Sequence, residues 1–228
     1  KTNTELDHFV YRASHEMRGP VTSMMGLLSL AAQEDNSPMT TRYLELIEKS
    51  AVKLDTFIRE ISDYSINART ELSNVNIDVL QIVAKTREDL QYLDPANVVV
   101  VDLKVVQTCE WVSDPIRVKM LIHHLLSNSI KYRDPQKSVC RAEIQVEVRP
   151  SETYLTISDN GKGIHPDHRE RLFDMFFRAT NDAFGSGLGL YIVAEVLEKL
   201  GGSLEFESAV GQGTIFKLRV PNRVVFFE

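Results

Sequence analysis

Three stretches in the second half of the chain, two of them glycine-rich, place polar groups in patterns that suit a phosphorylated ligand. The first, Asp159-Asn160-Gly161-Lys162-Gly163, directly follows a strand-forming run. A carboxylate there can accept a hydrogen bond from the exocyclic amine of a purine, and Gly161 and Gly163 let the backbone approach a ligand where side chains would forbid it. The same five residues also fit a tight turn without a ligand. The second, Gly185-Ser186-Gly187-Leu188-Gly189-Leu190, leads into a helix. Free backbone donors at a helix start, preceded by glycines, suit phosphate oxygens. The spacing is neither that of a dinucleotide fingerprint nor that of a P-loop. The third is Asn128 in the apolar run 125–132. A buried amide needs partners, so Asn128 is either a hydrogen-bonded core residue or a carbonyl ligand for Mg2+, which binds through substrate phosphates and one or two protein oxygens. Lys131, one turn on, offers a cation to phosphate, and Tyr132 offers a ring face to a base.

The elements that must hold these residues alternate in type. Asp78 caps a helix running to about residue 92, and Asp114 followed by Pro115 starts another that ends near Tyr132. Strands are expected at 97–106, 141–149 and 153–158, a helix at 188–200, and a hairpin of strands 203–208 and 214–220. This is an α+β domain, an α/β sandwich with a mixed, mostly antiparallel sheet and helices on one face.

The first third of the chain differs. Apolar residues at 6, 9, 10, 13, 17, 21, 24 and 28 predict an amphipathic helix over about 2–35, bent locally at Pro20. A turn at Asp35-Asn36-Ser37-Pro38 follows, then a helix over about 40–64 with its stripe at 44, 47, 51, 54, 58 and 61. Two such helices form a hairpin that cannot bury both stripes alone. The expected solution is a homodimeric four-helix bundle, and packing against the rest of the same chain is the alternative. At ~100° per residue, His15 falls nearly opposite the apolar stripe, which predicts a solvent-facing imidazole.

Composition sets the limits. A chain of 228 residues with 43% hydrophobic and 25% charged residues is that of an ordinary globular protein. A net charge of −6 argues against a nucleic-acid partner. No apolar run approaches the length of a membrane span, and Cys109 and Cys140 suit neither a disulfide framework nor a zinc site. The expected location is the cytoplasm. The chain starts at Lys1 and reads as a fragment, with any membrane anchor or sensor domain lying upstream.

Taken in order, Asn-x-x-Lys-Tyr at 128–132, Asp-x-Gly-x-Gly at 159–163, Gly-x-Gly-x-Gly at 185–189 and Gly-x-Gly-Thr at 211–214 resemble the ATP-binding domain of histidine kinases. Residues 172–178, ending in Arg178, look like that family's phenylalanine-rich box, and Ser14-His15-Glu16-Met17-Arg18-Gly19-Pro20 resembles its phosphoacceptor box. The resemblance covers nearly the whole chain. It implies the catalytic core of a sensor histidine kinase, with a dimerisation and phosphotransfer hairpin over 1–68 and a catalytic domain over 69–228. ATP would lie against Asp159, Gly161, Gly163, Lys131, Tyr132, Arg178, Gly185, Gly187, Leu188, Gly189 and Thr214, with Mg2+ between Asn128 and the phosphates. The segment between Phe176 and Gly187 would fold over the nucleotide. His15 would attack the γ-phosphate while Glu16 takes the proton from the other ring nitrogen, and the phosphoryl group would pass to an aspartate of a response-regulator receiver domain.

Two positions depart from that family's pattern. Gly19 replaces the Thr or Asn that commonly positions water to dephosphorylate the regulator, which implies a poor phosphatase. His124 stands where many of these kinases carry Asn and the related ATPases carry a water-activating Glu. The competing readings are an ATPase of that superfamily, a signalling scaffold with a degenerate kinase domain, and a serine-directed kinase of the same fold.

Overall fold

Three-and-four apolar spacing yields two long helices, α1 (Asn3–Ala31) and α2 (Pro38–Arg69). The computed structural model describes residues 3–31, 38–94, 96–179 and 185–223, with backbone alone for 3–12, 14–16 and 38. The expected turn at 35–37 lies outside the described residues. Pro20 sits inside a continuous α1. On α1, Ala13 and Pro20 are buried and Met17, Met24 and Leu27 half-buried, whereas Val21, Met25 and Leu28 are exposed. On α2, Phe57 is buried and Ile47, Leu54 and Ile61 half-buried, while Leu44, Ala51 and Ile58 are exposed. Each expected stripe is therefore split, one row turned inward and a second row, seven residues apart along the helix, left bare.

The chain divides into two units, residues 1–62 with 184–186, and residues 63–183 with 187–228. The second is the α/β unit. It holds β1 (Val75–Asn76), α3 (Val79–Asp89), β2 (Val99–Gln107), β3 (Val112–Ser113), α4 (Pro115–Lys131), β4 (Cys140–Val148), β5 (Glu152–Asp159), α5 (Gly189–Leu200), β6 (Ser203–Ala209) and β7 (Gly213–Pro221). Short 3-10 turns lie at Gln91–Leu93 and Pro166–Arg171. Asp78 and Asp114 accept from the N–H groups of Gln81 and Arg117, both at 2.9 Å. Each cap satisfies a donor that a helix start leaves unpaired, worth about 1 kcal/mol.

The sheet order is β2-β4-β5-β7-β6, with β2–β4 parallel and every other pairing antiparallel. Burial alternates throughout β4, along β5 up to Ser158 and along β7 from Thr214. Ile144, Ile157 and Phe216 stand side by side in register, as do Val146, Leu155 and Leu218. Onto this face pack α4, through Leu121, Ile122, Leu125 and Leu126, and α5, through Ile192, Val193 and Val196. Each such side chain contributes roughly 1.5–3 kcal/mol of burial. The two-residue ladder β1–β3 had no signal in the sequence pattern.

The expected end of α2 near residue 64 falls short of the observed one. Its last turns, from Asp63 onward, belong to the α/β unit. Arg117 reaches the carbonyls of Asn67 and Thr70 at 3.1 and 2.7 Å, and Lys199 also donates to Asn67 and Thr70. These cations satisfy carbonyls that a helix end leaves without partners, so α2 is prolonged by tertiary contacts.

Candidate functional site

Asp159 ends β5 opposite Thr214, near the start of β7. Its Oδ1 accepts from the N–H of Gly161 at 2.8 Å and of Thr214 at 3.3 Å, and its Oδ2 accepts from Ser129 Oγ at 3.1 Å. Burial pushes this carboxyl above its ordinary range, and the three donors pull the other way. The result is a fixed, partly desolvated acceptor at the end of a strand. Ser129 was not anticipated in this role. Its signal was only its place one residue after Asn128 on a helix facing the sheet.

The glycines beside Asp159 are there for backbone contact. A Cβ on Gly161 would lie 2.5 Å from the carbonyl oxygen of Tyr132. Gly163 (φ +68°) and Gly213 (φ +111°) would each bring a Cβ to 2.0 Å from a backbone oxygen, that of Ala209 and of Asp159 respectively. Cross-bracing completes the arrangement. Lys162 N–H donates to Tyr132 O at 2.9 Å, Gly211 N–H to Lys162 O at 2.7 Å, and Ile164 N–H to Ser208 Oγ at 2.8 Å, with Ser208 Oγ 2.9 Å from Thr214 Oγ1. The Asp-Gly loop is thus pinned both to the end of α4 and to the β6–β7 hairpin. Gly213→Ala should destabilise the unit by more than about 2 kcal/mol, because backbone must move and the φ is strained. Denaturant unfolding would measure it.

Asn128 is half-buried on α4, and among the described residues its side-chain amide has no hydrogen-bond partner. A core amide would need one, so the carbonyl oxygen fits a cation ligand better than a structural role. Lys131 is half-buried one turn on, and Tyr132 caps the helix with 36% of its surface exposed. Leu188 is buried as the N-cap of α5, so Gly189 and the residues after it begin that helix with free backbone donors. Gly187 (φ +81°) accepts from Phe176 N–H at 3.0 Å, and a Cβ there would meet Phe176 and Phe177 backbone at 2.6 Å. Arg178 is half-buried just beyond them. A groove of 590 Å³ touches Asp159 and Thr214, but its wall of Arg141, Glu143, Ser158, Glu207 and Ile215 alternates with the buried side chains. It lies on the helix-free face of the sheet and meets the site only at its rim.

The structure therefore brings together Asp159, Gly161, Gly163, Thr214 and Tyr132, with Asn128 and Lys131 on the same helix as Ser129. Gly187 is joined to Phe176. Gly185 falls with the helical unit. His15 and Glu16 are on α1, and their side chains, with the expected outward facing of His15, lie outside the described residues.

At the other end of this region, His124 Nε2 approaches Asp63 Oδ2 to 3.0 Å without the alignment of a hydrogen bond. Burial holds the neighbouring His123 down at about 4, so its imidazole is neutral at ordinary pH.

Residues 5–67 match the family model described as the His Kinase A (phospho-acceptor) domain. Residues 113–224 match the model described as histidine kinase-, DNA gyrase B- and HSP90-like ATPase. The chain is 30% identical over 233 residues to the methanogenesis regulatory histidine kinase FilI of Methanothrix harundinacea, covering 96% of this chain and 25% of that protein. It is 31% identical over 220 residues to the sensor histidine kinase GacS of Pseudomonas protegens, covering 91% of this chain and 24% of that protein. The chain thus spans about a quarter of the length of these relatives. In fold it is similar to the histidine kinase ThkA, solved in complex with the response regulator protein TrrA, with a TM-score of 0.72 at 19% identity over 96% of this chain and 62% of that one.

Proposed function

The chain belongs to the sensor histidine kinases, as their catalytic core, and from that premise we propose that it binds ATP, transfers the γ-phosphoryl group to His15 and passes it to an aspartate on a response-regulator receiver domain. The observation that carries the reading is the braced Asp159, a desolvated acceptor held by a loop whose glycines let the protein's own backbone close tightly around it. The lone pair left on its Oδ2 suits the exocyclic amine of adenine. We assign the phosphoacceptor hairpin to residues 1–68 and the catalytic domain to residues 69–228. The site operates where ATP is supplied, in the cytoplasm.

Lys131 offers charge to the phosphates, and Tyr132 lies at the purine's edge. Gly185, Gly187, Leu188, Gly189 and Arg178 close the phosphate side, with α5 presenting its backbone donors. Mg2+, held through the Asn128 carbonyl oxygen, would neutralise charge on the phosphate oxygens. Neutral His15 forms the N–P bond as the bond to the ADP oxygen breaks, and Glu16 accepts the proton from the other ring nitrogen. Helix neighbours do not face each other, so Glu16 acts from one particular rotamer. With His124 rather than a carboxylate at that position, the water-activating Glu of the related ATPases is missing, which favours transfer over ATP hydrolysis. The structure of ThkA in complex with a response regulator protein supports such a protein as the partner.

The test is incubation with γ-labelled ATP and Mg2+. Acid-labile, base-stable label that disappears in Asn128→Ala is the expected result. ATP binding without such label would favour the scaffold or the ATPase reading, and phosphate release would separate those two.

Leu44, Ala51 and Ile58, with Val21 and Leu28, leave an apolar face bare on the hairpin, and a second copy would cover it as a four-helix bundle. Light scattering should give twice the 25.9 kDa chain mass, and Leu44→Glu/Ile58→Glu should give a monomer. Gly19 has open space where a Cβ would stand. Gly19→Thr should therefore fold normally and raise dephosphorylation of the regulator in the presence of ADP. Fast dephosphorylation by the unmodified chain would refute the assignment of a poor phosphatase.

A further inference from the structure

Asp63, near the end of α2, and the adjacent His123 and His124 of α4 each place one ligand-type atom within 4.8 Å of the others. The two imidazole rings stand at 88° with centroids 5.4 Å apart. His124 is only 4% exposed, yet its Nε2 has no aligned hydrogen-bond partner, and neither has the buried Nδ1 of His123. Two unpartnered nitrogens beside a carboxylate are costly in a structure unless something occupies the space between them.

We propose that Asp63, His123 and His124 form a binding site for a borderline-soft divalent transition-metal ion, of which Zn2+ is the type, distinct from the Mg2+ that accompanies the nucleotide. The ligand set decides the class of ion. Two imidazoles and one carboxylate, with water in a fourth position, suit Zn2+, whereas Mg2+ takes oxygen ligands almost alone. Tetrahedral bonds of ~2.1 Å place ligand atoms ~3.4 Å apart. The Asp63–His124 pair is already at 3.0 Å, so His123 draws in by roughly 1.5 Å as the ion binds. The bound ion ties the last turns of α2 to the helix that carries Asn128. Metal occupancy would then be felt on the element that holds the nucleotide's cation.

The experiment is a Zn2+ titration of the intact chain by calorimetry, without nucleotide and with excess Mg2+ present, backed by visible absorption of Co2+ as a probe. One ion per chain is expected, with affinity falling at least tenfold in each of Asp63→Asn, His123→Ala and His124→Gln. Zn2+ should also raise the melting temperature of the unmodified chain and of none of these variants. Far-ultraviolet dichroism and cooperative melting without metal show which variants are folded, and one folded variant of the three suffices. His165 and His168, with rings 6.0 Å apart beside Asp167, are the rival zinc ligands. A His165→Ala/His168→Ala variant should bind as the unmodified chain does, and so should His15→Gln. Affinity unchanged in the folded cluster variants, affinity lost with the His165/His168 pair instead, or no binding below millimolar Zn2+ would each overturn the proposal. Since no arm uses ATP, failure here is separate from failure of the kinase reading.

Discussion

Replacing His15 by Gln should abolish transfer of the γ-phosphoryl group to the chain, by a factor of ~10³ or more, while leaving ATP binding intact. Gln is similar in length and polar, but its amide nitrogen has no available lone pair, so the nucleophile alone is removed. Position 15 lies in the helical unit, whereas Asp159, Gly161 and Thr214 belong to the α/β unit. Gln is also the better helix former by a few tenths of a kcal/mol, so α1 should form at least as well. The measurement pairs radiolabel incorporation with nucleotide affinity from calorimetry. Label retained in His15→Gln would place the acceptor elsewhere and refute the role of this residue. Joint loss of label and ATP affinity would mean that the substitution had damaged more than the nucleophile.

The largest stability change should come from Arg117→Ala, a loss of about 3–5 kcal/mol in denaturant unfolding. Arg117 and Asp114 are each 1% exposed and paired at 2.6 Å. The same guanidinium donates to Asn67 Oδ1 at 3.0 Å, to Thr70 O at 2.7 Å and to Thr70 Oγ1 at 3.1 Å. Removing it strands a buried carboxylate and takes away one of the two cations that cap the end of α2, leaving Lys199 alone there. Asp114 keeps the N–H of Ser73 and of Arg117 itself, so neutralising it should recover part of the loss. Arg117→Ala/Asp114→Asn is accordingly expected to be more stable than Arg117→Ala. A loss below about 1 kcal/mol for the single change would show that water or rearrangement compensates the charge, against the burial observed.

Local signals made most of the fold legible. The Asp78 and Asp114 caps, the alternation along β4, β5 and β7, and Gly211–Gly213 between β6 and β7 each act over a few residues. Helix and strand ends were recovered closely wherever such a signal existed. The end of α2 was misplaced because its caps, Arg117 and Lys199, come from 46 to 132 residues away. The order of the glycine boxes pointed to a nucleotide site, but it could not show that they brace one another through Lys162, Ser208 and Tyr132. Ser129 under Asp159 was missed for the same reason. The stripes of α1 and α2 were visible, yet their division into an inward and a bare row depends on how the hairpin packs. The Asp63–His123–His124 cluster joins residues far apart in the chain and had no local pattern.

β5 and β7 pair directly, although the whole glycine-bearing segment, α5 and β6 lie between them in sequence. The cost of bringing the ends of such a long excursion together grows only as the logarithm of its length, so doubling it adds about 0.6 kcal/mol. The stretch between residues 164 and 188 can therefore be lengthened, shortened or rewritten at little expense to the sheet. Evolution is left free to vary that stretch without renegotiating the stability of the sheet beneath it.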